Sequence, residues 1–119
     1  MKILLKLLIL ALIVCCGKNP EKGQALSSNS ERTFPDLKPN RYNVAFLIMN
    51  GTFNTEFTAP YDIFQHTIFR DGIKAMNVFT VADTLAPITT FEGLKIIPDY
   101  HYLRDSMPKI DILVVPSAE

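Results

Sequence analysis

The fold of this chain is decided by the stretch Gly51-Thr52-Phe53-Asn54-Thr55-Glu56-Phe57-Thr58-Ala59-Pro60-Tyr61-Asp62-Ile63-Phe64. It follows the apolar run Val44–Met49, which is typical of a strand buried on both faces of a sheet. Its second half reads as a helix start, with Thr58 as N-cap and Pro60 in the first turn, where a missing N–H costs nothing. We therefore predict a helix over residues 59–70 directly after the first strand.

Glu56 is the one carboxylate between that strand and that helix. In open α/β sheets, ligands and reactive groups collect at the carboxyl ends of the strands. Two interpretations of Glu56 stay open: an acid of a functional site, or an exposed loop acid. The neighbouring Phe53 and Phe57 could line a pocket or cover the top of the sheet, and the sequence favours neither.

The rest of residues 41–119 alternates between predicted strands and connections. The strands are expected at residues 43–50, 75–82 and 110–116. Between the last two lie an excursion over residues 84–98, with two short strands around a turn at Glu92-Gly93, and a loop over residues 98–108. This order is the opening of a parallel, doubly wound α/β sheet.

Residues 1–16 have the layout of a secretory signal, with Lys2 and Lys6 before an apolar run from Leu7 to Val14. The run is shorter than the roughly 20 residues that span a bilayer. It ends at Cys15-Cys16, which resembles a bacterial lipoprotein signal, in which the Cys after the cleavage point receives lipid. Cys16 is the predicted lipidation site because the small Cys15 precedes it. An uncleaved anchor or simple secretion is the alternative.

Residues 17–40 are polar and lack an apolar period, and Pro35 and Pro39 interrupt them. They are predicted to be a flexible tether. Both cysteines fall in the signal, so residues 17–119 hold no disulfide, Cys metal ligand or Cys nucleophile. His66 and His101 are far apart in sequence and, without Cys, predict no metal site.

The charge of the chain and its predicted export limit which partners and which cellular location are expected. The 12 basic and 12 acidic side chains form no basic stripe, so the sequence gives no support for nucleic-acid binding. The expected location is the bacterial cell envelope, with the protein anchored to a membrane by its lipid.

Four pieces, in this order, carry a family resemblance: Asn43–Ile48 followed by Gly51, Glu56–Phe64, Gly93–Tyr100 and Asp111–Ala118. Residues 41–119 resemble the N-terminal part of a DJ-1/PfpI domain, of the class I glutamine amidotransferase-like kind. The resemblance includes none of residues 1–40. It implies a partial flavodoxin-like, mostly parallel sheet, which in the complete domain is the middle of a three-layer αβα sandwich.

The resemblance also implies a site. Glu56 matches the family's acid, which hydrogen-bonds a nucleophilic Cys on a strained strand-to-helix elbow, and that elbow would lie beyond Glu119. The family's Pro-Gly-Gly reads Pro116-Ser117-Ala118 here, so side chains stand where the backbone usually approaches a substrate. Gly51, Ser117 and Ala118 are the candidates for an oxyanion hole or pocket.

For function, the resemblance implies a Cys- and Glu-dependent hydrolase, amidase or glyoxalase-like enzyme as the parent protein. The present chain is expected to be an incomplete domain and inactive by itself. The alternative is a non-catalytic module of the same fold that binds or senses a small molecule. A Cys at the elbow would separate the two. No cofactor is expected, the ligand is an unknown small molecule, and the complete domain is a candidate homodimer.

Overall fold

A computed structural model describes residues 32–119, so the predicted signal, Cys16 and most of the predicted tether lie outside the described residues. The elements, in chain order, are β1 (Tyr42–Leu47), α1 (Asn54–Gln65), a 3₁₀ turn (His66–Phe69), β2 (Met76–Ala82), β3 (Ile88–Thr89), β4 (Lys95–Ile96), β5 (Tyr100–His101) and β6 (Ile112–Val114). Among these residues no helix is long and apolar enough to cross a membrane.

The central sheet has the strand order β5-β2-β1-β6, and every pairing in it is parallel. The strands β1, β2 and β6 fall on the three apolar runs that predicted them. The excursion is confirmed as well, because β3 and β4 form a separate antiparallel pair with Ile88 opposite Ile96. The predicted α/β class with a mostly parallel sheet is therefore confirmed.

The predicted bounds of the first helix were wrong. Its α-helical part begins at Asn54 and ends at Gln65, and the chain then tightens into the 3₁₀ turn. Thr58 is not the N-cap but lies within the helix, where its hydroxyl donates to the Asn54 carbonyl at 2.7 Å. Pro60 is interior, so one backbone hydrogen bond of the helix is missing there. The helix starts early because its first N–H finds an acceptor on the β3–β4 hairpin, which the local sequence does not reveal.

The loop predicted over residues 98–108 contains a strand, β5. Tyr100 and His101 pair with Val81 and Ala82 of β2, so His101 is a buried strand residue rather than a loop residue. The reason is a pair of hydrogen bonds made by the residue just before β5. One carboxylate oxygen of Asp99 accepts both the N–H and the hydroxyl of Thr80, at 2.7 and 2.8 Å, and this holds the chain beside β2.

One face of the sheet packs against α1. The centre of this core is Phe46, which is fully buried among three aromatic rings of the helix. Its ring centroid lies 5.6 Å from Phe57, 5.2 Å from Tyr61 and 6.0 Å from Phe64. Phe57 is therefore a core residue that fixes the helix on the sheet, one of the two interpretations left open by the sequence.

The other face is covered in part by residues 32–38, which we call the strap. The Phe34 ring stacks on Tyr100 at 5.1 Å, and Leu37 packs on the cluster of Ala45, Phe79, Val81 and Tyr100. The sequence placed these residues in the tether, yet from Arg32 onward the chain lies against the sheet. Towards β6 the same face is open, with Leu113 55 % and Val115 59 % exposed.

Candidate functional site

The candidate site lies at the carboxyl ends of β1 and β6. The two strands are parallel neighbours, so the segments that follow them, residues 48–53 and 115–119, meet at one edge of the sheet. The Phe53 N–H donates to the Ser117 carbonyl at 3.0 Å, and the Glu119 N–H donates to the Gly51 carbonyl at 3.3 Å. These bonds flank an antiparallel bridge between Thr52 and Ala118. The structure thus places Gly51, Ser117 and Ala118, the three predicted pocket residues, side by side.

Glu56 reaches the same edge from the first turn of α1. Its carboxylate oxygen Oε2 accepts the backbone N–H of Ser117 at 2.8 Å. This bond, followed by one from the Ser117 hydroxyl, lowers the pKa of the Glu56 carboxyl below its ordinary value, because both stabilise the ionised form. Glu56 is exposed, but it is a helical residue with a fixed partner rather than a free loop acid.

Gly51 is required at its position by geometry. Its φ is +82°, and a Cβ atom there would lie 1.7 Å from the carbonyl oxygen of Glu119. Its N–H is already committed, since it donates to the Thr89 carbonyl at 2.9 Å. Gly51 therefore shapes the site and allows the backbone of residues 117–119 to approach, but it does not offer a donor to a ligand.

The three candidates differ in the availability of their backbone N–H groups. Those of Gly51 and Ser117 are used within the protein. Thr52 and Ala118 are a non-hydrogen-bonded antiparallel pair, so the Ala118 N–H points away from Thr52, and within residues 32–119 it donates to no acceptor. Ala118 is therefore the backbone donor at this edge that remains for an oxyanion.

Thr52 is a site residue that the sequence reasoning missed. Its side chain is fully buried, and its hydroxyl accepts the Met49 N–H at 3.0 Å. Its carbonyl accepts the Phe91 N–H at 3.1 Å, so it joins the β1 loop to the β3–β4 hairpin. The turn signal of Asn50-Gly51 just before it marked the loop, but nothing marked Thr52 itself.

Glu92 is the second residue that was missed. It was predicted only as part of a turn, but its Oε2 accepts the N–H of Asn54, the first residue of α1, at 3.0 Å. Beside it, the Phe91 ring packs on Phe53 with 4.9 Å between centroids. Phe53 therefore contacts the hairpin, while Phe57 belongs to the core. No sequence signal linked Glu92 to a helix 38 residues away.

The two histidines lie elsewhere. Nδ1 of the exposed His66 is 2.9 Å from the Asp62 carbonyl, one helical turn back. The buried His101 accepts the Leu103 N–H on Nδ1 at 3.2 Å. In the part of the chain that the structure describes, no three His, Cys, Asp or Glu side chains are grouped so that they could hold a metal ion.

The parallel sheet and its strand order are those of a partial α/β domain with a DJ-1/PfpI-like fold. Two solved structures with this fold are a thiJ/pfpI family protein from Bacillus anthracis and DJ-1beta from Drosophila melanogaster. The first is 20 % identical over 71 % of this chain and 40 % of its own, with a TM-score of 0.53. The second is 15 % identical over 66 % of this chain and 39 % of its own, with a TM-score of 0.54.

The chain therefore spans about two fifths of the length of these proteins. No family model and no curated protein matches the sequence. At these identities the likeness concerns the fold alone.

Proposed function

We propose that residues 41–119 supply the acid-bearing part of a DJ-1/PfpI-like domain in an exported lipoprotein. In this proposal the Glu56 carboxylate is the acid–base partner of a Cys nucleophile that the rest of such a domain provides. The observation that carries it is the position of the Glu56 carboxylate at the carboxyl edge of the sheet, where its Oε2 accepts the Ser117 N–H at 2.8 Å. The chain by itself is then an inactive portion of a hydrolase, amidase or glyoxalase-like enzyme.

The groups at this edge suit acyl or carbonyl chemistry. An ionised carboxylate can take the proton of a thiol or of a substrate group and return it later in the reaction. The Ala118 N–H can donate to the oxygen on which negative charge develops. Ser117 adds an exposed side chain where the family resemblance expects glycine, so this site has less room than a Gly-Gly backbone would leave.

The envelope location is part of the same proposal and is supported by the sequence pattern alone. Lipid attachment at Cys16 would hold the domain at a membrane surface, with the intervening residues as spacer. Incorporation of labelled fatty acid should be lost in Cys16→Ala and kept in Cys15→Ala. Incorporation that persists in Cys16→Ala would refute the anchor without touching the proposed role of Glu56.

The test of the catalytic role uses the protein with its reading frame extended through the elbow. An ionised carboxylate beside a thiol disfavours the thiolate, so Glu56→Gln should lower the pKa of the Cys thiol by about 1 unit. The measurement is the rate of alkylation of the thiol against pH. Asp62→Asn, which removes an exposed carboxylate from the same helix, is the matched control and should leave the profile unchanged.

An alkylation profile that is the same in Glu56→Gln and wild type would show that Glu56 is not the partner of the thiol. A reading frame without a Cys at the elbow would favour the second candidate function, a non-catalytic binding or sensing module. The observation in favour of that module is that most polar groups of the edge bond one another and so form a rigid surface. A small molecule that raises the melting temperature of the extended protein without being turned over would support it.

A further inference from the structure

The β3–β4 hairpin is bonded to the loop that carries the candidate site. The Thr89 N–H donates to Oδ1 of Asn50 at 2.8 Å, and the Thr89 carbonyl accepts the Gly51 N–H at 2.9 Å. Farther along the hairpin, the Phe91 N–H donates to the Thr52 carbonyl at 3.1 Å. Three hydrogen bonds therefore join the hairpin to residues 50–52.

The tip of the hairpin is itself fixed. Thr90 is 3 % exposed, and its N–H donates to the Leu94 carbonyl at 2.8 Å. Its hydroxyl accepts the Leu94 N–H at 3.0 Å, and its carbonyl accepts the Gly93 N–H at 3.0 Å. Gly93 has a φ of +93°, a conformation that favours glycine and closes the turn. Glu92 is consequently presented from a rigid support.

Glu92 supplies what the start of α1 lacks. The first N–H groups of a helix have no partner within the helix and are usually satisfied by a Ser, Thr, Asp or Asn at the N-cap. Here the N-cap position is Phe53, and within the described residues no side chain at that position caps the helix. The carboxylate of Glu92 accepts the Asn54 N–H instead, and its negative charge suits the positive end of the helix dipole.

We propose that Glu92 is a positioning residue for Glu56: it fixes the first turn of α1 and thereby holds the Glu56 carboxylate against Ser117. Glu56 lies two residues after Asn54 in that turn. If the turn frays, the carboxylate leaves the Ser117 N–H. Glu92 acts through the backbone of α1, because its carboxylate bonds the Asn54 N–H while the Glu56 carboxylate bonds the Ser117 N–H.

The consequence for catalysis rests on the function proposed above, but the positioning itself can be measured without a nucleophile. The measurement is the protection of the Ser117 amide against hydrogen exchange in the full 119-residue chain, followed as a function of pH and corrected for the intrinsic exchange rate. In the wild type, protection should be lost only below the ordinary Glu56 pKa of 4.5, since the ionised carboxylate is the acceptor.

Glu92→Ala should reduce Ser117 protection at pH 7 by about tenfold, the scale expected for removing one helix cap, and should move the midpoint of its pH profile towards 4.5. Glu92→Gln keeps an acceptor oxygen and should restore most of the protection. Lys95→Ala, at an exposed position that pairs with Thr89 on the same hairpin, should behave as wild type. The amides of Val44 and Val78, in the paired strands, report whether the sheet remains intact.

Unchanged Ser117 protection in Glu92→Ala would overturn the proposal, as would a Glu92→Gln variant that fails to restore it. Global loss of protection at Val44 and Val78 in Glu92→Ala would also overturn it, because Glu92 would then support the whole sheet rather than the position of Glu56. These readouts are independent of thiol reactivity, so failure here is distinguishable from failure of the proposed function.

Discussion

Gly51 and Gly72 allow two roles of glycine to be compared: adopting a positive φ, and leaving space for a neighbouring backbone. Both have positive φ, +82° and +75°. A Cβ at Gly51 would meet the Glu119 carbonyl at 1.7 Å, whereas at Gly72 no atom of the described residues lies within 4 Å. Alanine would therefore have an unfavourable backbone conformation at both positions, but only at Gly51 would its Cβ also clash with a neighbouring atom.

We therefore predict that Gly51→Ala destabilises the protein more than Gly72→Ala. Gly72→Ala should cost about 1 kcal/mol, the usual penalty for a residue forced into this conformation. Gly51→Ala should add the displacement of residues 117–119, seen as faster exchange of the Glu119 amide and loss of the Ser117 bond to Glu56. Urea unfolding and amide exchange of both variants provide the comparison, and equal effects at the two positions would contradict the assigned clash.

At the scale of the elements, local pattern was sufficient wherever an element is defined by its own residues. The apolar runs of β1, β2 and β6 predicted strands because burial on two faces needs apolar side chains at both parities. The start of α1 was not predictable, since its cap lies 38 residues away on the hairpin. β5 was not predicted for a similar reason. It has two residues, too few to show a hydrophobic period, and it is fixed beside β2 by the bond of Asp99 to Thr80.

The strap was also not predicted from the sequence, and its first residue is attached by an ion pair. Arg32 contacts Asp105 through two bonds of 3.0 and 2.7 Å and also donates to the Asp99 carbonyl. The guanidinium of Arg32 and the His101 N–H lower the pKa of the Asp105 carboxyl. A carboxyl whose pKa is lower when folded contributes stability above its unfolded value, and that contribution is lost as the pH falls through the folded value.

Arg32→Ala should therefore free the first residues of the strap at neutral pH, while Lys38 stays bonded to Asn77. In the wild type these first residues should be freed only below pH 3.8, the ordinary Asp105 value. The expected result is several-fold faster exchange at Tyr100, because Phe34 no longer covers its ring. Lys38→Ala, an exposed cation on the same strap, is the matched control. If exchange at Tyr100 were equal in Arg32→Ala and Lys38→Ala, the ion pair would not be what holds the strap.

At the scale of the whole molecule, the two faces of the sheet are unequal. The α1 face is closed around Phe46, while the other face has the short strap on one side and an apolar cavity of about 270 Å³ on the other. The lining of this cavity is Leu47, Val81, Tyr102, Met107, Ile110 and Leu113. Within the described residues one α-helix serves several parallel strands, and such sheets need cover on both faces.

The last prediction concerns the behaviour of the 119-residue chain in solution. Contiguous exposed apolar surface beside the edge strand β6 favours association between copies and binding of a hydrophobic dye. We expect both in the 119-residue chain.

Leu113→Lys places a charge on that open face at a residue that is already 55 % exposed, so it should reduce association and dye binding while leaving the fold intact. Lys95→Glu, a charge change on the separate β3–β4 hairpin, is the matched control and should leave both unchanged. Sedimentation and dye fluorescence measure the outcome. A wild-type chain that sediments as a monomer without binding dye would mean that the open face is covered within a single copy.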